Sequence, residues 1–219
     1  VKSMLDLGCG SGVLTESFFK KGISITGLDS SEEMIESARK RYPEINFICA
    51  DATDFSLPNT VDAVFSNAVF HWINKERQPL MIKCVYNALS KGGQFIFEMG
   101  GIGNNILIHS ALAKAFENVG LEYVMPFYFP SVGEYSAMLE RVGFKVRYAV
   151  LFDRPTELKG ENGLFDWINM FVKNPFSKVD EKMKTDIIDQ AVRSLKNDLY
   201  RNGIWYADYV RLRIKAIKE

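Results

Sequence analysis

Three glycines alternate with other residues just after a short, largely apolar run near the start of the chain. Gly8, Gly10 and Gly12 follow the run at 5–7 and precede a helix-like stretch over 13–21. Glycine tolerates positive φ and has no Cβ, so a turn of this composition brings bare backbone close to a ligand. The spacing therefore predicts a strand, a tight turn and a helix that fit the front edge of a nucleotide-type cofactor, with a purely structural turn as the alternative.

Acidic residues end or follow the next predicted strands. Asp29 ends a strand predicted over 23–29, about 20 residues after the glycines, where a βαβ unit presents a carboxylate to the hydroxyls of a ribose. A carboxylate suits this role because it accepts hydrogen bonds from two hydroxyls, while a helix-capping acid is the alternative. Asp51 follows a third strand predicted over 45–49, and Asp54 is its less favoured substitute.

The glycine spacing separates two classes of cofactor-binding turn. The dinucleotide-binding pattern is G-x-G-x-x-G, and Val13 stands where its third glycine would be. The G-x-G-x-G spacing, the two acids and the segment after a fourth strand predicted over 61–65 resemble the class I S-adenosylmethionine (SAM)-dependent methyltransferases. Segments that resemble the trans-aconitate methyltransferase-like branch lie at 66–72, 98–104, 126–131, 134–135, 142–144 and 205–213. Malonyl-carrier-protein O-methyltransferases share the same cofactor motifs and are the alternative branch.

This resemblance implies that SAM is the cofactor and that it binds at four successive strand ends. Asp29 would bind the ribose, Asp51 would accept the adenine amino group, and the exit of the fourth strand would cover the methionine end. The residues that the resemblance assigns to the cofactor are Asp6, Gly8, Cys9, Gly10, Gly12, Asp29, Ser30, Met34, Asp51, Ala52, Asn67 and Ala68.

The acceptor side is less specific in the sequence. Methyl transfer requires alignment of the reactants and, for a protonated acceptor, a base, whereas a carboxylate acceptor is already ionised at neutral pH. His71 is the candidate catalytic residue because imidazole titrates near neutral pH, although we favour a loop histidine that hydrogen-bonds the backbone. The candidate substrate-pocket residues, each with packing or surface exposure as its alternative, are Trp72, Glu98, His109, Tyr128 and Arg154.

The order of the predicted elements indicates the fold class. Alternation of strands and helices up to about residue 99 predicts an α/β protein with a parallel sheet covered by helices on both faces. By resemblance, this is a Rossmann-like sheet of seven strands, mostly parallel, with the last strand reversed. Residues 160–200 have a helical period, and no strand is predicted until 204–216. We therefore expect a SAM-binding core over 1–153, a helical insertion over 154–203 and a final strand over 204–219.

Composition limits the partners. The 27 basic residues balance the 27 acidic ones, so no net field attracts nucleic acid or an anionic membrane. No apolar run approaches the roughly 20 residues of a membrane span. Three cysteines and two histidines predict reduced thiols in a cytosolic protein and no metal site. The expected partner is a small-molecule substrate.

The motifs also bear on the alternative functions. The fourth strand is not followed by the Asn/Asp-Pro-Pro-aromatic turn of nucleic-acid amino-methyltransferases, so methylation of a nucleic acid is disfavoured. A nicotinamide-dependent oxidoreductase is an alternative that Val13 disfavours, and a non-catalytic SAM-binding module is another. Related enzymes have a helical segment before the first strand, whereas here that strand begins almost at Val1, so we expect a longer protein with an additional amino-terminal lid.

Overall fold

Strands and helices alternate along the first part of the chain in the computed structural model, which describes residues 1–219. The strands are β1 (Ser3–Leu7), β2 (Ser24–Asp29), β3 (Asn46–Cys49), β4 (Val61–Asn67) and β5 (Leu89–Gly100). The helices between them are α1 (Val13–Phe19), α2 (Glu32–Arg41) and α3 (Gln78–Ala88). β5 is longer than the strand that the sequence predicts over 94–99, because Leu89 already pairs with Val61 ahead of an irregularity in the register.

The second part of the chain contains most of the helical residues. Its elements in chain order are α4 (Ile106–Asn118), α5 (Val132–Val142), β6 (Phe144–Asp153), β7 (Thr156–Leu158), α6 (Gly163–Phe171), α7 (Glu181–Ser194), α8 (Lys196–Leu199), β8 (Tyr200–Arg201), β9 (Ile204–Ala207) and β10 (Val210–Lys218). The longest helix, α7, has 14 residues. None of the helices combines the length and the apolar character that crossing a membrane requires.

Seven strands form one sheet in the order β3-β2-β1-β4-β5-β10-β6. β1 pairs in parallel with both β2 and β4, β2 pairs in parallel with β3, and β4 pairs in parallel with β5. The predicted fold class, a mostly parallel sheet of seven strands, is confirmed. The strand order reverses between β1 and β4, and open α/β sheets bind ligands at the carboxyl ends of the strands at such a reversal.

The chain divides into two units, of which the first comprises Val1–Met99, Pro130–Leu151 and Leu212–Glu219. Leu5 and Leu7 of β1 are completely buried, as expected for a central strand covered on both faces. On one face, Ile35 and Ala38 of α2 pack in a cluster with Phe47 of β3. This packing fixes the carboxyl ends of β1, β2 and β3, where the candidate site lies.

The second unit comprises Gly100–Phe129 and Phe152–Arg211. Its sheet has the order β7-β9-β8, with antiparallel pairs. α4 buries Ile108, Leu112 and Phe116, whose spacing forms one apolar stripe. These residues share a core with Ile187 and Ile188 of α7.

Two boundaries differ from those that the sequence predicts. Residues 204–216 are not one strand: β9 pairs with β7, and only β10 joins the seven-stranded sheet. Asp208 lies between β9 and β10 because its carboxylate accepts a hydrogen bond from the amide of Leu107, at 2.8 Å. In addition, Gly100–Phe129 belongs to the second unit rather than to the core predicted over 1–153, since α4 buries its apolar stripe against α7.

Candidate functional site

The loop between β1 and α1 depends on glycines with positive φ. The φ angles are 79° at Gly8, 53° at Gly10 and 81° at Gly12. A Cβ on Gly8 would lie 2.2 Å from Cγ2 of Val69, and a Cβ on Gly12 would lie 2.8 Å from the ring of Phe47. A Cβ on Gly10 would have no protein atom within 4 Å. Gly8 and Gly12 therefore allow close packing of the loop, while Gly10 borders open space that a ligand can fill.

Asp29, the last residue of β2, connects this loop to the start of α2. Its Oδ2 accepts a hydrogen bond from the amide of Gly10 at 2.8 Å, and its Oδ1 accepts one from the amide of Ser31 at 2.9 Å. Each carboxylate oxygen has two lone pairs, so each can accept one further bond. The carboxylate is thus held in place by backbone amides and fits a pair of hydroxyl donors, such as those of a ribose.

A cavity of about 270 Å³ lies at these strand ends. Its wall includes the predicted residues Gly8, Asp29, Ser30, Asp51, Ala52 and Trp72. The motif spacing does not indicate the other wall residues, which are Leu28, Ala50, Val69, Ile73, Asn74 and Arg77. Of these, only Ala50 and Leu28 adjoin a predicted acid in the sequence, which is a signal that could have identified them.

Asp51 is the second acid in the cavity wall, and its side chain is fixed by neighbours. Its Oδ1 accepts hydrogen bonds from the amide and the hydroxyl of Thr53, both at 2.8 Å, and its Oδ2 accepts one from Nη2 of Arg77 at 2.9 Å. Arg77 also donates to the hydroxyl of Thr53. The Thr53 amide, followed by Arg77, lowers the pKa of the Asp51 carboxyl below its usual value. Asp51 therefore presents an ionised carboxylate to the cavity.

Asp6 lies outside the cavity wall and is almost completely buried. The hydroxyl of Thr15 on α1 donates to its Oδ2 at 2.6 Å. Burial raises the pKa of Asp6 to about 6, the Thr15 hydrogen bond opposes this change, and the charge of Asp29 adds to it. Asp6 thus joins β1 to α1 beneath the glycine loop.

Six other residues that the resemblance assigns to the cofactor also lie outside the cavity wall, and two of them are the loop glycines Gly10 and Gly12. The Cys9 thiol is buried, and burial raises its pKa to about 12. Met34 is exposed on α2, where its amide donates to Ser31 at the start of the helix. Asn67 ends β4, and Ala68 follows with a φ of 61° and donates its amide to the carbonyl of Glu98. Their contact with a cofactor stays a prediction.

His71 and Trp72 lie in a short 3₁₀ turn after β4. The side-chain amide of Gln78 donates to the carbonyls of Phe70 and Ile73, at 2.7 and 2.8 Å, and so fixes this turn. His71 is 8% exposed and is absent from the cavity wall, whereas Trp72 is 47% exposed and forms part of it. The turn therefore places the indole, and not the imidazole, against the cavity.

The remaining substrate-pocket candidates do not gather around this cavity. Glu98 pairs with Arg213 of β10, whose Nε and Nη2 donate to Oε2 at 2.9 and 2.6 Å. In the second unit, His109 lines a separate cavity, Tyr128 is half-buried outside that cavity's wall, and the exposed Arg154 donates its amide to the carbonyl of Tyr209. Of the five candidates, only Trp72 lies in the wall of the first cavity.

The sequence predicts reduced cysteines and no metal site, and the positions of these side chains are as follows. Cys9, Cys49 and Cys84 are free thiols. No three side chains among His, Cys, Asp and Glu come close enough together to hold a metal ion. The charged side chains in the wall of the first cavity are those of Asp29, Asp51 and Arg77.

Comparisons with known proteins agree with this geometry. A family described as a methyltransferase domain matches residues 4–93. An uncharacterised methyltransferase from Schizosaccharomyces pombe is 32% identical, over 99% of this chain and 86% of that protein. A malonyl-[acyl-carrier protein] O-methyltransferase from Priestia megaterium is 35% identical over 54% of this chain and 44% of its own length. A trans-aconitate 2-methyltransferase from Rhodopseudomonas palustris is 34% identical over 45% of this chain and 38% of its own length. The chain therefore matches less than half the length of these two bacterial enzymes.

A solved structure supports the fold. A putative methyltransferase from Bacillus halodurans superposes with a TM-score of 0.67, covering 99% of this chain and 92% of that one at 16% identity. At this identity the similarity concerns the architecture alone. The similarity extends to the second unit as well as the sheet, since almost the whole chain is covered.

Proposed function

Because this chain belongs to the class I SAM-dependent methyltransferases, we propose that it transfers a methyl group to a carboxylate oxygen of a small molecule. When bound, SAM supplies a methyl group already activated by its sulfonium centre. The protein then has to hold the cofactor, align the acceptor and exclude water. The side chains of the first cavity can be assigned to these tasks.

The proposed cofactor contacts rest chiefly on Asp29. Its carboxylate is oriented by two backbone amides and lines the cavity, which suits the two hydroxyls of the ribose. We assign Asp51 to the adenine amino group because its ionised carboxylate lies in the same wall. The open space beside Gly10 would take the carboxypropyl end of the cofactor, and Trp72 would cover one side of the cavity.

The composition of the cavity wall carries the proposal of a carboxylate acceptor. Apart from Asp29 and Asp51, which we assign to the cofactor, the wall contains no side chain that could take a proton near neutral pH: it has no histidine, lysine, cysteine or tyrosine. A carboxylate needs no such base because it is ionised at neutral pH, whereas an amine or phenol normally does. The names of the malonyl and trans-aconitate relatives also specify acceptors that carry carboxyl groups.

A methyl ester is distinguishable from other methylated products. We would incubate the protein with SAM labelled in the methyl group and with malonate, trans-aconitate or longer monocarboxylates, using the corresponding amides as controls. The expected result is label that is transferred only to the carboxylates and is released as methanol by mild alkali. Label that resists alkali, or transfer to the amides, would contradict a carboxylate acceptor.

A variant separates enzyme chemistry from background methylation. Asp29→Ala removes the proposed acceptor of the ribose hydroxyls. Leaving these hydroxyls without a partner should cost about 1–3 kcal/mol of binding free energy. We therefore expect its methyl transfer at limiting SAM to fall by roughly 5- to 150-fold. Asp54→Ala changes a nearby exposed acid outside the cavity wall and should retain wild-type activity.

A further inference from the structure

The second unit contains a cavity of its own, of about 500 Å³. This volume falls within the range of about 300–1,000 Å³ that is usual for small-molecule sites. Its wall is formed by α4 and by the segments directly before and after it. The wall residues are Gly103, Asn104, Ile106, His109, Ser110, Ala113, Tyr123, Met125, Phe127 and Phe129. No side chain in this wall is an acid, a lysine or an arginine. The wall therefore offers an apolar and aromatic surface to a ligand without net charge.

His109 is the main polar group inside this wall. It is 3% exposed, and its Nδ1 lies 2.7 Å from the hydroxyl of Tyr123. Its Nε2 is buried and has no hydrogen-bond partner in the structure. A buried polar group left without a partner is unfavourable, so a ligand atom that forms a hydrogen bond with this nitrogen would gain binding free energy.

The pairing with Tyr123 determines which kind of ligand atom fits. His109 Nδ1 is the hydrogen-bond partner of the Tyr123 hydroxyl, and a phenol proton that is buried needs an acceptor. The tautomer that satisfies both groups has Nδ1 accepting from Tyr123, so that Nε2 carries the proton and donates. Burial also lowers the pKa of His109 to about 4, which keeps the ring uncharged at neutral pH. The ligand must therefore supply an oxygen that accepts a hydrogen bond.

Part of the cavity wall has no regular structure. Met125, Phe127 and Phe129 lie between α4 and α5, where the chain has no helix or strand. Met125 and Ile106 are 45% and 59% exposed, so the mouth of the cavity is apolar and faces solvent. Aromatic rings of this segment lie beside the imidazole: the ring centroid of His109 is 5.5 Å from that of Phe127 and 6.1 Å from that of Phe129.

We propose that this cavity binds an uncharged aromatic small molecule whose carbonyl or ether oxygen accepts a hydrogen bond from Nε2 of His109. The rings of Tyr123, Phe127 and Phe129 would surround the aromatic part. A carboxylate is excluded because the wall offers no positive charge to compensate its desolvation. The proposal concerns the second unit alone and does not depend on the methyl transfer proposed above.

Three probes of similar size test the proposal without SAM. Acetophenone has the aromatic ring and the acceptor oxygen, ethylbenzene lacks the oxygen, and benzoate carries a charge. Binding to the full chain would be followed by amide NMR shifts of residues 103–129. We expect acetophenone to bind at least threefold more tightly than ethylbenzene, as for one net hydrogen bond, and at least tenfold more tightly than benzoate. Equal binding of benzoate, or no shifts in 103–129, would overturn the proposal.

Variants assign the preference to His109. His109→Phe should keep ethylbenzene binding but lose the preference for acetophenone, whereas Lys114→Ala, at an exposed position of α4 outside this wall, should retain it. A preference that survived in His109→Phe would contradict the role of Nε2. The probe comparison on the wild-type protein tests the proposal even if His109→Phe does not fold, and intact S-adenosylhomocysteine binding in each variant separates this test from the proposed methyl transfer.

Discussion

The cavities of the two units are built from different groups. In the first unit, two carboxylates and a guanidinium lie in the wall among apolar side chains, and Asp29 is held by the amides of Gly10 and Ser31. In the second unit, aromatic side chains form the wall, with His109 as a buried neutral group. The first arrangement fits a cofactor with many polar groups, while the second fits an apolar ligand with one polar atom.

This difference explains why the two cavities are not equally visible in the sequence. The first cavity lies beside a loop that requires glycines at fixed positions and includes acids at strand ends, and both leave a regular spacing in the sequence. A wall made of aromatic side chains does not, because the same residue types also form ordinary cores. Substitutions in the two units should accordingly have different effects on ligand affinity and on the pH dependence of stability.

The largest expected effect is loss of cofactor binding on substitution of Gly10. Gly10→Val would place a side chain in the space that no protein atom occupies, so we expect S-adenosylhomocysteine affinity to fall by at least about 100-fold, near 2.7 kcal/mol. Gly22→Val is the matched control, since Gly22 also has a positive φ and open space around its Cβ position but lies between α1 and β2, whereas the amide of Gly10 donates to Asp29 of the cavity wall. Both variants carry the same kind of backbone strain. Unchanged calorimetric affinity in Gly10→Val would remove the loop from the site.

The next effect is a stability change with pH in the second unit. Burial lowers the pKa of His109 to about 4 from 6.5, so the stability that this group contributes is present above pH 6.5 and is lost as the pH falls toward 4. Tyr123 is its hydrogen-bond partner, and no charged group contributes to the pKa change. The free energy of unfolding can be measured in urea at both pH values. As the pH falls from 7.5 to 4.5, it should decrease by about 2 kcal/mol more in the wild type than in His109→Phe. A pH-independent difference would contradict a buried neutral imidazole.

The first unit should show the opposite slope. The pKa of Asp6 is raised to about 6 from 3.8, so its contribution to stability is present below pH 3.8 and is lost as the pH rises through 6. As the pH rises from 4.5 to 7.5, the free energy of unfolding should decrease by about 2 kcal/mol more in the wild type than in Asp6→Asn. Asparagine keeps an acceptor for Thr15, and the charge of Asp29, which raises the Asp6 pKa, is unchanged. If stability relative to the matching variant changed with pH in the same direction at His109 and at Asp6, the assignment of opposite pKa changes to these two buried groups would be wrong.

The smallest effect concerns Arg77 at the edge of the first cavity. Its ion pair with Asp51 is about half-exposed on both sides, and exposed pairs contribute about 0–1 kcal/mol. We expect Arg77→Gln to change S-adenosylhomocysteine affinity by less than about fivefold. Lys75→Gln, which breaks a pair with Glu134 outside the cavity wall, should have no effect. A tenfold loss in Arg77→Gln alone would indicate that the guanidinium contacts the ligand directly.

Much of the first unit is predictable from the sequence for physical reasons. The positive φ values of Gly8, Gly10 and Gly12 require glycine, and the position of Asp29 follows from the length of one βαβ unit. The side-chain network of Asp51, Thr53 and Arg77 is not predictable in this way, because Arg77 follows Asp51 by a whole strand and a turn.

The second unit shows why its own boundaries and contacts are harder to predict. The single strand predicted over 204–216 does not reveal that Asp208 ends β9 by binding the amide of Leu107. Likewise, the apolar stripe of α4 indicates a buried face but not its partner, α7. His109 pairs with Tyr123 through a tertiary contact across a loop, and no spacing rule encodes such a contact.

The identity of the ligand in the first cavity is the central claim, and calorimetry tests it most directly. The purified protein would be titrated with S-adenosylhomocysteine and, separately, with NAD, and both titrations would be repeated on Asp29→Ala. We expect micromolar binding of S-adenosylhomocysteine, weaker binding to Asp29→Ala, and no heat from NAD. Binding of NAD alone, or wild-type affinity for S-adenosylhomocysteine in Asp29→Ala, would contradict the assignment of this cavity.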